Sequence, residues 1–188
     1  MSFERGTRGR WNKADRSTVV SIAGSDSGGG AGIQADLLTF AAHGLHAASV
    51  VVAGTAQNTR GVGPIEPFSP RFVAAQIDAV YSDLAPAATK IGMLFGPQHV
   101  RAVAAGLARH GARNVVLDPV LSSTGGARLL SPAGLRALRK ELLPLCDVVT
   151  PNLDEAAILA GIDSRTEQGI RRAARRIASF GARAVLVT

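Results

Sequence analysis

Several features that would assign a sequence to a special class are scarce in this chain. A single cysteine, Cys146, leaves no partner for an internal disulfide, and its apolar surroundings predict a buried structural thiol. No apolar run reaches the roughly 18 residues that a transmembrane helix needs, and residues 1–16 lack the apolar stretch of a signal peptide. We therefore expect a soluble, cytoplasmic protein without a membrane partner.

The positive charge has to be located before it can be interpreted. The net charge is +7, and aromatic residues make up only 4% of the chain. Much of the charge lies in residues 1–16 and on one side of a helical stretch whose other side is apolar, at Arg171, Arg172, Arg175 and Arg176. Without interleaved aromatic side chains to stack bases, a solvated helix face is favoured over a nucleic-acid surface. Salt-dependent DNA binding would support the alternative.

Short β-branched runs alternate with helical stretches along the rest of the chain. In one helical stretch Val73, Ile77, Val80 and Leu84 recur at helical spacing. The predicted strands are continuous apolar runs, which is typical of a parallel sheet covered on both faces. They are Thr18–Ala23, Ser49–Ala53, Thr89–Met93, Asn114–Asp118, Asp147–Thr150 and Ala184–Thr188. This alternation predicts an α/β protein with three α/β/α layers and a mostly parallel central sheet.

The most distinctive segment is Gly24–Asp36, with the sequence GSDSGGGAGIQAD, which follows the first predicted strand and opens a helix. Glycines allow the backbone to approach a ligand closely, and a helix N-terminus offers unpaired N–H groups. The spacing matches neither the dinucleotide-binding loop nor the Walker-type phosphate loop. The segment therefore predicts a site for a small polar or anionic ligand, and a flexible glycine turn remains the alternative.

The same segment resembles the N-terminal signature of the hydroxymethylpyrimidine phosphate kinases. Four further motifs of that family follow in the same order: TAQNTRGV from Thr55, TKIGML from Thr89, VVLDPV from Val115 and TPNLDEA from Thr150. The resemblance covers residues 18–188 and implies a ribokinase-like fold. It also implies that ATP and Mg²⁺ serve to phosphorylate a small-molecule substrate, 4-amino-5-hydroxymethyl-2-methylpyrimidine, and then its monophosphate, in thiamine biosynthesis.

By resemblance, the pyrimidine would be bound by Gln57, Asp36, Gly24 and Met93. The amide of Gln57 has the donors and the acceptor that an aminopyrimidine edge requires, whereas residue type alone would favour a surface-loop glutamine. Asp36 lies about one turn into the helix, where an acid stabilised by the helix dipole is the alternative. Gly24 and Met93 should line the pocket through backbone and thioether, although Met93 by itself could equally fill the core.

A second set of residues, Asp118, Asn152, Glu155 and Thr124, is implied to support phosphate and magnesium. Asp118 ends a predicted strand, at the edge of the sheet where ligands bind. Asn152 and Glu155 lie three residues apart at a helix start, where a capping box is the alternative. The family's pattern implies that Asp118 and Glu155 hold magnesium indirectly, through its water ligands. Thr124 is equally consistent with a phosphate contact and with an ordinary turn.

The sequence departs from the family in one respect. The second glycine motif of the family, Gly-Thr-Gly-Cys/Asp-Thr, forms the anion hole for the transferred phosphoryl group and does not occur here. We therefore expect a basic flexible tail at residues 1–16 and the N-terminal part of a ribokinase-like kinase domain at residues 17–188. In this interpretation the fold is incomplete at the C-terminus, and the chain has no catalytic residue and no appreciable activity alone. Robust ADP release with hydroxymethylpyrimidine would contradict the expected inactivity.

An incomplete fold would also leave an uncovered sheet edge. Such an edge would favour poor solubility or a homodimer.

Two other functions stay open on the sequence. Pyridoxal kinase activity occurs among relatives of the family, although the segment TAQNT with Gln57 favours an aminopyrimidine. A non-catalytic pyrimidine-binding or regulatory protein would fit the missing second glycine motif. Comparing the binding of pyridoxal and hydroxymethylpyrimidine tests the first alternative, and the reading frame beyond Thr188 tests the second.

Overall fold

The computed structural model describes residues 17–122 and 129–188. Within these residues the strands are β1 (Thr18–Asp26), β2 (His46–Asn58), β3 (Gly61–Pro67), β4 (Ala88–Ile91), β5 (Val115–Leu117), β6 (Val148–Val149) and β7 (Ala184–Val185). They form one sheet in the order β3-β2-β1-β4-β5-β6-β7. All neighbouring strands pair in parallel except β2 and β3, which pair antiparallel. The prediction of a mostly parallel sheet is confirmed.

Helices cover the sheet from both sides. They are α1 (Gly32–Ala42), α2 (Pro70–Leu84), α3 (Pro97–Arg109), α4 (Pro132–Ala137), α5 (Leu153–Ala160) and α6 (Glu167–Ala178). A π-helical turn and a 3-10 turn extend α4 as far as Leu145. The crossover through α1 moves across the sheet in the opposite direction from those through α3 to α6. Because right-handed crossovers of opposite direction place their helices on opposite faces, the chain has the predicted three layers.

The β2–β3 hairpin is the main feature that the sequence patterns did not predict. β2 extends five residues beyond the predicted end at Ala53, and it pairs with β3 from Ala53 to Asn58. A tight turn joins the two strands, and the side chain of Asn58 accepts a hydrogen bond from the N–H of Arg60. The sequence pattern does not predict β3 because it contains Pro64 and Pro67, and proline argues against a strand unless that strand lies at the edge of the sheet. Gln57 therefore lies near the end of a strand and not in the surface loop that residue type alone favours.

The core lies where the strands meet α2, α3 and the helices that follow. Val73 and Ile77 of α2 are fully buried, which confirms the periodicity predicted for that helix. Cys146 is also buried, and its Sγ lies 3.3 Å from the carbonyl oxygen of Leu142, to which it donates. Burial raises the pKa of the Cys146 thiol to about 12. The prediction of a structural thiol is confirmed, because a thiol with such a pKa stays protonated and unreactive at neutral pH.

The arginine-rich helix is α6, and its arginines face solvent as predicted. Ala173 and Ile177 are buried on the opposite side of the helix. Arg171 pairs with Glu167 one turn earlier, and the guanidinium of Arg176 lies 5.1 Å from the centre of the Phe180 ring. Glu167 therefore compensates one of the arginine charges within the helix. Among the residues that the structure describes, no helix is both long and apolar enough to cross a membrane.

Candidate functional site

A cavity of about 300 Å³ opens at the edge of the sheet where the parallel strands end. This is where an open α/β sheet binds its ligands, and the volume suits a single-ring compound. The cavity is lined by five residues that the sequence analysis expects at the site, and they come from different elements: Gly24, Asp36, Gln57, Met93 and Asp118. The structure thus brings together the whole expected pyrimidine set and one member of the phosphate set.

The glycine-rich loop between β1 and α1 is organised by the Asp26 carboxylate. The N–H of Gly28 donates to Asp26 Oδ1 at 2.7 Å, and those of Gly30 and Ala31 donate to Oδ2 at 3.0 and 2.9 Å. Asp26 is only 5% exposed, so these bonds satisfy a carboxylate that would otherwise be costly to bury. The expectation that the loop offers its amides to a ligand is therefore wrong for these three groups. Their function is to fix the shape of the loop.

The end of this loop passes unusually close to β1. Gly32 has a φ of +55°, and a Cβ at this position would lie 2.3 Å from the carbonyl oxygen of Gly24. Glycine is therefore required here, because any side chain would meet backbone. Gln34 locks the same junction, since its Oε1 accepts the N–H of Asp26 and its Nε2 donates to the Ser25 hydroxyl. The close approach places the first turn of α1 against the end of β1.

Gln57 lies on the hairpin side of the cavity, near the end of β2. Its backbone is tied to the glycine-rich loop, because the Ser27 hydroxyl donates to the Gln57 carbonyl and accepts the Gln57 N–H, both at 2.8 Å. The Thr55 hydroxyl lies 3.1 Å from Gln57 Oε1 and 3.0 Å from the Ser25 carbonyl. Ser27 thus fixes the backbone of Gln57, and the Thr55 hydroxyl contacts the oxygen of its side-chain amide.

Met93 packs over Gly24 on the floor of the cavity. A Cβ at Gly24 would lie 2.7 Å from the Cε of Met93, so the missing side chain makes room for the thioether. Met93 is only 9% exposed, and it therefore serves both interpretations: it fills the core edge and lines the cavity. A flexible, polarisable thioether suits contact with a flat ring.

Polar side chains from two adjacent strands, β1 and β4, meet at Asp36 of α1. The Ser21 hydroxyl donates to Asp36 Oδ2 at 2.6 Å, and the Lys90 ammonium lies 3.1 Å from both carboxylate oxygens. The same ammonium lies 3.5 Å from Asp118 Oδ2. Asp36 is therefore held by a hydrogen bond from Ser21 and an ion pair with Lys90. The helix dipole, which the sequence offered as the alternative, is not its only stabilising interaction.

Asn152 and Glu155 form a capping box at the start of α5 and lie outside the cavity lining. The Asn152 side chain accepts the N–H of Glu155, and the Glu155 carboxylate accepts the N–H of Asn152, both at 2.9 Å. Burial raises the pKa of Glu155, and the nearby negative charge of Asp118 acts in the same direction. The capping box that the sequence offered as the alternative is confirmed. The part of Asn152 and Glu155 in magnesium binding stays a prediction. Thr124 lies outside the described residues.

Sequence reasoning missed four polar groups of the site: Ser21, Asp26, Thr55 and Lys90. Lys90 gave the clearest signal, because a charged residue inside an apolar strand needs a partner. Ser21 and Lys90 face each other only through the β1–β4 register, and Asp26 acts through the shape of its loop. These contacts depend on the three-dimensional fold, and no pattern of residue spacing in the sequence predicts them. No group of three or more His, Cys, Asp or Glu side chains within residues 17–122 and 129–188 is arranged to hold a metal directly.

Comparison with known proteins finds relatives of this chain both in sequence and in fold. The family model described as phosphomethylpyrimidine kinase matches residues 26–188. A hydroxymethylpyrimidine/phosphomethylpyrimidine kinase of Rhizobium meliloti is 55% identical over 170 residues, which are 90% of this chain and 64% of that protein. The chain thus spans somewhat less than two thirds of the length of this relative.

Two solved structures share the fold closely. The phosphomethylpyrimidine kinase of Clostridium difficile superposes with a TM-score of 0.86 at 40% identity, over 92% of this chain and 74% of that one. A Bacillus subtilis pyridoxal kinase in complex with ADP superposes with a TM-score of 0.83 at 33% identity, over 92% of this chain and 65% of that one. The expected ribokinase-like fold is confirmed by this likeness.

Proposed function

This chain belongs to the phosphomethylpyrimidine kinase family, and from that premise we propose that its cavity binds 4-amino-5-hydroxymethyl-2-methylpyrimidine and its monophosphate. The activity that we propose is transfer of phosphate from ATP to these two substrates in thiamine biosynthesis. One observation carries the proposal: Gln57, Asp36, Gly24 and Met93, which the resemblance assigns to the pyrimidine, converge on one cavity from four separate segments.

Each of these residues has a role that suits an aminated pyrimidine alcohol. The Gln57 amide, oriented by Thr55, offers a donor and an acceptor to the amino edge of the ring. The Asp36 carboxylate accepts a hydrogen bond from the amino or the hydroxymethyl group. The ring lies against the backbone of Gly24 and the thioether of Met93. These groups bind and orient the alcohol, which is the main protein contribution to phosphoryl transfer.

We place the phosphate and magnesium end of the site around Asp118. Magnesium takes few carboxylates and keeps several water ligands, and Asp118 presents a carboxylate with 41% of its side chain exposed. Glu155 is close enough for the negative charge of Asp118 to raise its pKa, and it would act through water because its carboxylate is buried and bonded to backbone N–H. Asn152 would assist as the partner of Glu155 in the capping box. When bound, magnesium would neutralise the charge of the transferred phosphate. Thr124 stays a candidate for phosphate contact.

The remaining expectations are part of the proposal. Residues 17–188 would be the substrate-binding part of a ribokinase-like kinase domain, preceded by a basic tail at residues 1–16. Inactivity of the chain alone, a homodimer and a cytoplasmic location stay predictions. A nucleic-acid partner is not part of the proposal, because the arginines of α6 are solvated and partly paired within the helix and with Phe180.

Pyridoxal kinase is a second candidate, because a pyridoxal kinase shares the fold over most of this chain. Isothermal titration of the 188-residue chain with each compound separates the two. We expect the pyrimidine alcohol to bind at least roughly tenfold more tightly than pyridoxal, because pyridoxal has no ring amino group to pair with Gln57. A pyrimidine alcohol without the amino group is the matched control and should lose the same preference. Tighter binding of pyridoxal would favour the second candidate, and binding of neither compound would overturn both.

A further inference from the structure

Lys90 is a charged residue of β4, near the centre of the sheet. It faces Ser21 directly in the parallel pairing of β1 and β4. Residues paired in this way point to the same face of the sheet, here the face covered by α1. Both side chains therefore meet Asp36, which points from α1 toward that face. The register of two strands thus supplies two donors to one carboxylate.

The geometry leaves the Asp36 carboxylate little freedom. Oδ2 accepts from the Ser21 hydroxyl at 2.6 Å and from the Lys90 ammonium at 3.1 Å, and the ammonium is also 3.1 Å from Oδ1. Room for the ammonium comes from Gly92, where a Cβ would lie 3.1 Å from Lys90 Nζ. One orientation of the carboxylate is therefore selected, with its remaining lone pairs free for a ligand in the cavity.

The charge balance of the cavity also depends on Lys90. Asp26, Asp36 and Asp118 line the cavity, and Lys90 is the basic side chain among its described lining residues. Asp26 is compensated by backbone N–H groups of its own loop. Asp36 and Asp118 share the Lys90 ammonium, at 3.1 and 3.5 Å. One cation therefore joins the carboxylate at the pyrimidine end to the carboxylate at the phosphate end.

We propose that Lys90 is a positioning residue for the pyrimidine ligand: it holds the Asp36 carboxylate in the orientation that accepts a hydrogen bond from the ligand. This inference rests on the proposed function and adds a residue to it. Lys90 and Asp36 have only 23% and 16% of their side chains exposed, so the pair is largely shielded from water and its loss also lowers stability. The effect of Lys90 on ligand binding is therefore measured on variants whose folding is checked first.

A double-mutant cycle on pyrimidine binding tests this role. The wild-type chain, Lys90→Met, Asp36→Asn and the double variant are titrated calorimetrically with the pyrimidine alcohol, without ATP. We expect Lys90→Met to weaken binding roughly tenfold or more, because the Asp36 carboxylate loses its fixed orientation. In the Asp36→Asn background the same change should have little further effect, because Lys90 acts through Asp36. A merely structural role would give the same loss in both backgrounds.

Two further variants keep the test decisive. Lys90→Gln removes the charge and leaves a shorter, neutral side chain, and it replaces Lys90→Met in the cycle if the latter does not fold. Lys140→Met removes an exposed lysine outside the cavity lining and should leave binding unchanged. The role of Lys90 would be overturned if Lys90→Met bound the pyrimidine alcohol as tightly as the wild-type chain. It would also be overturned if the losses of affinity of the two single variants simply added in the double variant. Either result would leave the proposed function intact. Absence of binding by the wild-type chain would overturn both.

Discussion

Replacing Gly32 by alanine is expected to abolish pyrimidine binding and to lower the free energy of unfolding by about 3 kcal/mol or more. The residue has a φ of +55°, and its Cβ would lie 2.3 Å from the Gly24 carbonyl oxygen and 3.3 Å from the Asp26 nitrogen. Both contacts are with backbone, so no side-chain movement can relieve them. The junction of β1 and α1 has to open, and with it the wall of the cavity formed by Gly24 and Asp36.

Gly44→Ala is the matched control for this substitution. Gly44 also has a positive φ, +74°, but a Cβ there would have no neighbour within 4 Å. Its replacement should cost only the left-handed penalty of about 1–2 kcal/mol and should leave binding intact. Chemical denaturation gives both stabilities, and titration with the pyrimidine alcohol gives both affinities. Equal stability losses for the two variants would show that the close approach at Gly32 is unimportant.

Replacing Asp26 by asparagine is expected to be the second most damaging change. The carboxylate accepts three backbone N–H groups, and an amide of the same shape turns an NH₂ toward at least one of them. The three N–H groups belong to exposed residues, so the cost arises mainly because charge-assisted hydrogen bonds to the buried Asp26 side chain are lost or weakened, each of them contributing about 1.5–3 kcal/mol. We expect the free energy of unfolding to fall by roughly 2–4 kcal/mol and pyrimidine binding to weaken at least tenfold.

Hydrogen exchange localises this effect. In Asp26→Asn the amides of Gly28, Gly30 and Ala31 should exchange faster than in the wild-type chain, because they lose the carboxylate that protects them. Asp163→Asn is the control, since Asp163 also accepts a backbone N–H, that of Arg165, but 71% of its side chain is exposed. That variant should stay within about 0.5 kcal/mol of wild type. Unchanged exchange at the glycine-rich loop would contradict the organising role of Asp26.

The elements that the sequence predicted are those whose signal is local and periodic. The repeat of Val73 and Ile77 places α2 correctly, and continuous apolar runs indicate the parallel strands. β3 gave no such signal, because its residues are mostly exposed at the sheet edge and two of them are proline. β2 is longer than its apolar run at both ends: His46 to Ala48 pair with β1, and the last residues, from Ala56 to Asn58, extend the strand along β3 alone.

The site shows the same division between local and tertiary information. The glycine-rich segment and Gln57 were found through motifs that are contiguous in sequence. The Ser21–Asp36–Lys90 contacts depend on strand register and on the packing of α1, neither of which has a sequence signature. The glycine-rich segment predicts a ligand site, whereas three of its amides bind Asp26, because residue type does not show which acceptor a loop N–H faces.

Calorimetric titration of the Gln57→Ala variant with the pyrimidine alcohol tests the central assignment most directly. Gln98→Ala, which removes an exposed glutamine of α3, is the control. We predict that Gln57→Ala weakens binding by roughly ten- to a hundredfold, since the amino edge of the ring loses its amide partner, and that the control binds as wild type. Equal affinity of Gln57→Ala and the wild-type chain would contradict the assignment of this cavity to an aminopyrimidine.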